Sequence, residues 1–415
     1  MSFSEWREVT LSDISIGNKG DYGIGASAVE YSKDLYTYLR ITDISDEGIL
    51  KKDSLMSVDD EDARNYLLKP NDIVFARTGN STGRSYFYDG SDGELVYAGF
   101  LIKFSLDPSK VNPKYLRYYT LSNKYKDWVS SFSTGSTRGN INAKTYGSMK
   151  IKLPPTDQQD FLVQILSTLD KKIEVNNQIN KTLENMAQAI FKRWFVDFEF
   201  PNEDEEPYKS SGGEMVESEL GMIPKGWEVK ELGEIIDIHD SKRIPLSKNE
   251  REKREKIYPY YGAASLMDYV DEFIFDGIYV LLGEDGTVVN EDGSPVLQYV
   301  WGKFWVNNHA HVLSGKKGVS TNFLYILLSN LNVLGAITGA VQLKINQKNL
   351  KEMKIIMPND MKLVSQFSDI VDKSFEKTRV KRDENKNLVL LRDSLLPKLM
   401  SGEIRVPLDE EGDAS

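Results

Sequence analysis

Two polar loops in the first half of the chain combine arginines with hydroxyls and glycines. They are Arg77-Thr-Gly-Asn-Ser-Thr-Gly-Arg84 and Ser133-Thr-Gly-Ser-Thr-Arg-Gly-Asn140. Guanidinium and hydroxyl groups donate hydrogen bonds to acceptor-rich ligands, and glycines let a ligand approach the backbone closely. The same residues also occur at the tip of an ordinary hydrophilic hairpin. The loops therefore indicate either recognition by hydrogen bonding or a solvated turn.

Residues for catalysis and for metal binding are scarce. The sequence contains no P-loop and no Asn/Asp-Pro-Pro-Tyr/Phe motif of an amino-methyltransferase. It has no cysteine, and its three histidines are His239, His309 and His311. His309 and His311 fall on one face of a predicted strand, where packing or hydrogen bonding is favoured over metal ligation. We expect neither a catalytic residue nor a metal site.

The composition indicates a folded protein of several domains. The chain has 415 residues, of which 40% are hydrophobic, so two or three domains with their own cores are predicted. A net charge of −11 argues against non-specific coating of DNA, although basic residues can still cluster locally. The N-terminus is polar and no apolar run is long enough to span a membrane, so we expect a cytoplasmic protein.

The sequence repeats itself. A polar loop followed by Met149-Lys-Ile-Lys-Leu-Pro154 in the first half matches a loop followed by Met353-Lys-Ile-Ile-Met-Pro358 in the second. The two halves share further residues at one constant offset, namely Gly135 with Gly339, Ile141 with Ile345, and Pro154 with Pro358. Each half also begins with a similar tryptophan segment, at Trp6 and Trp227. Several matches in the same order predict a duplicated unit.

Each repeat starts with short β-type runs and turns and ends with a Pro-bounded helical pattern. We therefore predict an α/β (α+β) fold with two globular domains and two long helices. The predicted boundaries are 1–153 for the first domain, 154–200 for the central helix, 201–222 for a linker, 223–357 for the second domain, 358–403 for the C-terminal helix and 404–415 for an acidic tail.

Apolar residues recur in both helical segments with coiled-coil spacing. The first seam consists of Leu166, Leu169, Ile173, Asn176, Asn180, Leu183, Ala187, Ile190 and Trp194. The second contains Val371, Phe375, Leu388, Leu391, Leu395 and Leu399. The two asparagines either are buried and fix the register, or lie where the helix is exposed. Since both seams are polar in the middle, we expect an antiparallel pair that forms a coiled-coil spacer.

The ends of these helices carry their own signals. Thr156 and Gln159 fit a capping box at the start of the first helix. Pro397 should kink the last turn of the second helix or mark its end, and Gly402 suits its C-terminal cap.

Several stretches resemble the specificity (S) subunits of Type I restriction–modification systems. The resemblance covers the whole chain and is carried by Leu153-Pro-Pro155, Gln158-Gln159, Ile190-Phe-Lys-Arg-Trp-Phe-Val-Asp-Phe198, Leu395-Leu-Pro-Lys-Leu-Met-Ser-Gly-Glu-Ile404, Asp72-Ile-Val-Phe-Ala-Arg-Thr-Gly79 and Tyr258-Pro-Tyr-Tyr-Gly-Ala263.

The resemblance implies a non-catalytic reader of double-stranded DNA, in which each recognition domain contacts one half of a split site. It implies that the helices set the spacer and dock two methyltransferase subunits, and that restriction–translocase subunits join outside. S-adenosylmethionine, ATP and magnesium would belong to these partners, and this chain would bind no cofactor. The recognition domains differ in sequence, so a non-palindromic site is expected.

Side chains that recognise base edges in a groove are bidentate donors, such as guanidinium groups, and amides. Side chains that contact phosphates are cations and hydroxyls. In the first domain the predicted DNA-binding residues are Arg77, Thr78, Asn80, Ser81, Thr82, Arg84, Ser136, Thr137, Arg138 and Asn140. In the second domain they are Lys242, Arg243, Tyr260, Tyr261, Glu284, Asp285, Thr287, Asn307, Asn308, Gln342 and Lys344.

Alternatives stay open for several of these residues in the second domain. Gln342 replaces Arg138 and suits adenine. The acidic Gly283-Glu-Asp-Gly-Thr287 segment, which stands where the Arg77 loop would be, either accepts from a cytosine amino group or caps a turn. Asn307 and Asn308 either contact DNA or shape a turn. The basic stretch 242–256 either follows phosphates or forms an exposed helix of alternating charge. Tyr260 and Tyr261 fit the core or a groove wall better than base stacking.

The first helix closes with an aromatic group, Phe191, Trp194, Phe195 and Phe198. It either caps the helix onto its own domain or belongs to a methyltransferase docking surface. Two other functions remain as alternatives to the S subunit: the recognition subunit of a fused methyltransferase–nuclease system, and a coiled-coil scaffold that holds proteins.

Overall fold

The computed structural model describes residues 6–132, 139–339 and 342–404. These fall into two compact units. Unit 1 contains the described residues up to Glu174 and from Asn385 onward, and unit 2 is Val175–Glu384. Each unit therefore takes one globular part and a portion of both long helices, whereas the sequence prediction kept each helix whole. The predicted acidic tail lies outside the described residues from position 405.

The strands are short and alternate with turns. In unit 1 they are β1 Arg7–Thr10, β2 Asp21–Tyr22, β3 Ala28–Val29, β4 Tyr36–Leu39, β5 Met56–Val58, β6 Asp72–Ala76, β7 Ser85–Tyr88, β8 Leu95–Tyr97, β9 Leu101–Ser105 and β10 Lys150–Leu153. In unit 2 they are β11 Met215–Ser218, β12 Gly221–Pro224, β13 Trp227–Glu231, β14 Ile236–Ile238, β15 Tyr258–Tyr261, β16 Leu266–Val270, β17 Phe275–Gly283, β18 Leu297–Val306, β19 Ala310–Gly315, β20 Ile337–Thr338, β21 Lys344–Ile345 and β22 Lys354–Pro358.

Eight α-helices accompany the strands in the described residues. They are α1 Pro113–Tyr119, α2 Asn123–Ser130, α3 Ala143–Gly147, α4 Thr156–Phe191, α5 Lys248–Glu252, α6 Thr321–Ser329, α7 Gln347–Glu352 and α8 Lys362–Ser401. A π-helical turn, Lys192–Val196, extends α4. None of the described helices is long and apolar enough to cross a membrane.

Unit 1 contains two four-stranded sheets and a two-stranded ribbon. The first sheet has the order β2-β9-β6-β7 and is antiparallel, and the second has the order β3-β5-β4-β8. Strand β6 is buried along its whole length, as its run of apolar residues predicts. The start of α4 and the end of α8 share one core with the first sheet, in which Leu166 packs with Leu396 and Leu399.

Unit 2 is built around one six-stranded sheet in the order β14-β19-β17-β18-β15-β16. Its largest core joins this sheet to α6, to the end of α4 and to the start of α8. Phe191 lies 5.8 Å from Phe367 between ring centroids. In each unit, therefore, opposite ends of the two long helices pack together, so the predicted antiparallel pairing is confirmed.

The predicted duplication is confirmed by equivalent strand pairs. Strand β1 pairs antiparallel with β10 in unit 1, and β13 pairs antiparallel with β22 in unit 2. Beyond each pair, Leu11 N donates to Met149 O at 3.0 Å and Leu232 N donates to Met353 O at 2.8 Å. Both leucines are fully buried. Each unit thus closes its domain with the same ribbon before a long helix begins.

The seam of α4 is buried or half-buried at all the predicted positions. Asn176 and Asn180 are buried, which decides between the two alternatives, and Asn176 Nδ2 donates to Glu384 Oε2 at 3.0 Å. The seam of α8 needs one correction, because Leu391 is 46% exposed. Arg392 takes the inward position instead and donates to Asp170 Oδ1 at 3.0 Å.

One predicted helix-end signal is wrong, and one of the two alternatives for Pro397 is excluded. Gln159 does not form a capping box with Thr156, because its Oε1 accepts from Asn112 N at 2.9 Å and its Nε2 donates to Pro154 O at 2.8 Å. Pro397 does not end α8, which continues to Ser401. The prediction for Gly402 is confirmed, since it has a φ of 77°, which favours glycine at a C-terminal cap.

The segment predicted as a linker is folded. It contains β11 and the start of β12, which form a hairpin. Phe200 stacks on Tyr208 at 4.6 Å and on Trp227 at 5.3 Å, between ring centroids. The aromatic group at the end of α4 packs the same way, with Phe195 against Trp227 and Phe323. The aromatic group therefore packs into the core of unit 2, and not onto the domain that precedes the helix, as a cap onto its own domain would require.

Candidate nucleic-acid interface

One loop in each unit leaves the buried end of a central strand at an equivalent position. Arg77 follows β6 and Glu284 follows β17. Ile141 N donates to Arg77 O, and Ile345 N donates to Glu284 O, each at 2.9 Å. Isolated bridges pair Thr78 with Asn140 and Asp285 with Lys344. The structure therefore brings the described parts of the two predicted loops of each repeat together, and it places the Glu284 loop where the Arg77 loop would be.

In unit 1, Arg77 is the arginine of this loop that remains available. Its guanidinium carbon lies 5.1 Å from the ring centroid of Tyr22, and its Nε is buried without a hydrogen-bond partner among the described residues. Tyr22 is exposed. Tyr22 was not among the predicted contacts, because strand pairing between β2 and β9 brings it to this site. The pair offers an aromatic face and a fork of donors, which suit bases and phosphates.

Arg84 has a different role from Arg77. Its Nε donates to Asp46 Oδ1 at 2.6 Å, and its Nη1 donates to Ile44 O and Ser81 Oγ, each at 3.3 Å. Ser81 is buried. Thr82 Oγ1 donates to Gly79 O at 2.8 Å, and to Gly139 O at 3.0 Å. These side chains hold the loop, and the burial of Ser81 favours this structural role over a DNA contact.

The segment Gly79-Asn-Ser-Thr-Gly83 has the spacing of a serine-hydrolase elbow but not its structure. A nucleophile elbow joins a strand to a helix and exposes the serine. Here the turn joins the antiparallel strands β6 and β7, and the serine is buried. Of the other predicted residues, Asn80 and Asn140 are exposed and Thr78 is half-buried. Ser136, Thr137 and Arg138 lie outside the described residues.

In unit 2, Glu284 belongs to a network of compensated charges. Its carboxylate accepts from Arg243 Nη1 at 2.8 Å and lies 3.3 Å from Lys344 Nζ. Beneath it, Asp240 accepts from His311 Nδ1 at 2.6 Å and lies 3.3 Å from Arg243 Nη2. His311 is 1% exposed, and its Nε2 faces Ile345 O at 2.8 Å. Both ring nitrogens of His311 thus face oxygen acceptors.

This network explains the ionisation of both carboxylates. Burial alone would raise the pKa of Asp240, but the hydrogen bond and charge of His311 outweigh it and lower that pKa. Burial also opposes ionisation of Glu284, and the hydrogen bond from Arg243 with the charge of His311 lowers its pKa. Asp240, Glu284 and His311 offer ligand atoms within 4.8 Å of one another, yet cationic side chains already contact both carboxylates.

Acid is expected to destabilise unit 2 through Asp240 and Glu284. Their pKa values are lowered from the ordinary 3.8 and 4.5, so the unfolded chain binds protons before the folded chain does. The stability from this difference is full above about pH 5 and is lost as the pH falls through the folded pKa values. Thermal melts between pH 7 and pH 3 should show a flat Tm and then a decline. A decline of equal steepness in the Asp240→Asn, Glu284→Gln variant would contradict this origin.

Several predicted contacts of the second domain are buried in the structure. Tyr260 is 0% exposed and its hydroxyl accepts from Leu246 N at 3.0 Å, which supports the core interpretation over base stacking. Arg243 forms ion pairs with Asp240 and Glu284. Asn307 is also buried, and its Oδ1 accepts from His309 N at 2.8 Å, which supports a turn role. These residues therefore support the site through contacts inside the domain. Tyr261 is half-buried and packs edge-on against Phe304.

Other predicted residues of the second domain reach the surface. They are Lys242, Thr287, Asn308, Gln342 and Lys344. In the basic stretch, Arg251 and Lys256 contact Asp268, and Arg254 contacts Asp271. These ion pairs favour the exposed, alternating-charge interpretation over a phosphate track.

The chain is similar to one known protein family over both repeats. The family model described as the Type I restriction modification DNA specificity domain matches residues 3–185 and again 224–388. The MjaIX specificity subunit of Methanocaldococcus jannaschii is 26% identical, with 71% of this chain and 69% of the relative covered. The HindI specificity subunit of Haemophilus influenzae is 23% identical, with 97% and 100% covered.

The fold is similar to that of a solved structure. The Type I restriction–modification S subunit from M. genitalium has a TM-score of 0.59 and 17% identity, and 96% of each chain is covered. At this identity the likeness concerns the fold. The family model, however, matches well over half of the chain, in two copies that coincide with the two repeats. The chain is therefore a member of the Type I restriction–modification DNA specificity subunits, with two recognition domains.

Proposed function

We propose that this chain reads a split and asymmetric DNA sequence, one half with each recognition domain. The observation that carries the proposal is the equivalence of the Arg77 and Glu284 loops. They leave matching strands and make matching backbone bonds, but one offers a guanidinium and the other carboxylates. Since donors and acceptors recognise different base edges, the two half-sites differ.

The lengths of the two long helices bear on the distance between the proposed half-sites. Helix α4 has 36 residues and α8 has 40, and at about 1.5 Å per residue each spans roughly 55–60 Å. A stiff pair of this length fixes the distance between half-sites, as dimer spacing does in two-fold DNA-binding proteins. We propose that the helices also dock two methyltransferase subunits, and that restriction–translocase subunits join them. S-adenosylmethionine, ATP and magnesium would then be bound by these partners.

Methylome sequencing tests the proposal directly. Cells that carry this chain with its methyltransferase subunit should show adenine methylation in both halves of one split, non-palindromic motif. Cells that carry the methyltransferase with a chain lacking both loops, replaced by glycine–serine turns, provide the control. Methylation without a motif, or a motif unchanged by the loop replacement, would favour the scaffold interpretation.

The isolated chain is expected to bind DNA weakly. Its net charge of −11 repels the phosphate backbone, so the partners must supply part of the cationic surface. We expect a Kd of roughly 10⁻⁴–10⁻⁶ M at physiological salt, typical of non-specific binding. Fluorescence anisotropy on duplexes with and without the motif, with and without the methyltransferase, measures this. Tight and site-selective binding by the purified chain alone would be the contrary result.

A further inference from the structure

His309 presents an exposed ring at the candidate interface of unit 2. Its side chain is 48% exposed, whereas that of His311 is 1% exposed. Its Nδ1 lies 2.7 Å from Asp285 Oδ1. Its carbonyl oxygen accepts from Glu284 N at 2.8 Å, which places His309 beside the loop that follows β17. His309 was not among the residues predicted to contact DNA.

The contact with Asp285 determines which atom of His309 faces outward. A carboxylate oxygen only accepts, so Nδ1 carries the hydrogen and donates it. In a neutral ring, Nε2 is then an acceptor, and it makes no hydrogen bond with any residue that the structure describes. An oriented acceptor on an exposed ring is suited to a donor from outside the chain.

The carboxylate of Glu284 is not a free hydrogen-bond acceptor as His309 Nε2 is. The carboxylate of Glu284 is occupied by Arg243 and Lys344 and is 15% exposed. Asp285 carries no ion pair with lysine or arginine among the described residues, and it holds His309. Asp285 and His309 Nε2 are thus acceptors that this part of the surface offers. In the major groove, the matching donors are the N6 amino group of adenine and the N4 amino group of cytosine.

We propose that His309, oriented by Asp285, contacts DNA and accepts a hydrogen bond from the exocyclic amino group of an adenine or cytosine. This inference rests on the proposed function and names the base chemistry that the second domain reads. In the first domain, the loop equivalent to the Glu284 loop offers the guanidinium of Arg77, which donates hydrogen bonds instead of accepting them.

The test uses the complete methyltransferase complex on a library of duplexes with randomised half-sites, followed by sequencing of the methylated products. His309→Ala should lower the preference for the amino-bearing base at one position of the second half-site by about tenfold. Asp285→Asn should weaken the same preference, because an amide both donates and accepts and no longer fixes the tautomer. His309→Gln, which keeps an acceptor, should retain part of it.

Asp276→Asn is the matched control, since it changes an exposed carboxylate at the other end of β17. All variants should assemble with the methyltransferase and leave the first half-site unchanged. Unaltered base frequencies across the second half-site in His309→Ala and Asp285→Asn would overturn the inference. A loss of affinity that is uniform across sequences would also overturn it, because it indicates a phosphate contact. If the wild-type complex selects no split motif, the proposed function itself fails.

Discussion

Replacing Arg77 with alanine is expected to remove base preference at one position of the first half-site and to cost about 1–3 kcal/mol of specific binding. The reason is the contrast between the two arginines of the loop. Arg84 is bound to Asp46, Ile44 and Ser81. Arg77 makes no such bond in the described part of the chain, and its guanidinium lies over the exposed ring of Tyr22. An unengaged fork next to an aromatic face is pre-organised for a guanine edge.

The measurement compares methylation by complexes that carry Arg77→Ala, Arg77→Lys or Arg64→Ala, on duplexes with randomised half-sites. Lysine keeps the charge but loses the fork, so it should restore affinity without restoring the base preference. Arg64 is an exposed arginine of the same unit and serves as the control. The prediction is contradicted if all three complexes choose the same sequence with intact assembly, and that result would favour a scaffold.

Much of the architecture was predictable, because it depends on residue spacing within short segments. The repeated loop and strand around Pro154 and Pro358 predicted the duplicated unit, and the strand pairs β1–β10 and β13–β22 confirm it. The polar seam of α4 was also correct, including the buried Asn176. Helical periodicity places residues on a face without any knowledge of the partner.

The state of individual side chains was less predictable, because it depends on contacts far apart in the chain. Asp240 meets His311 and Gln347, and no local pattern relates these three positions. No local pattern relates Arg243 to Glu284 either. Both were predicted to contact DNA, but in the structure they form an ion pair with each other. Tyr22 and His309 were not predicted at all. Strand pairing brings each of them to the candidate site, and both lie outside the loops that have a visible motif.

Replacing Asp240 with alanine is expected to destabilise unit 2 by about 3–5 kcal/mol, the cost of breaking a buried ion pair from one side. Asp240 accepts from His311 Nδ1 and Gln347 Nε2, each at 2.6 Å, and from Val312 N at 3.0 Å. Without this carboxylate, His311 and the guanidinium of Arg243 stay buried but lose one of the negative charges that compensate them. Asp237→Ala removes a half-exposed carboxylate nearby and should change the free energy of unfolding by less than about 1 kcal/mol.

Chemical denaturation of the purified variants measures this difference, and a second substitution shows its cause. If the cost comes from unpaired buried charge, Asp240→Ala with His311→Leu should be more stable than Asp240→Ala alone, because the unpaired imidazole is then replaced by an apolar side chain. If the double variant is instead less stable by the sum of both single losses, the two residues act independently. The charged network would then not be what holds the loop after β17 in place.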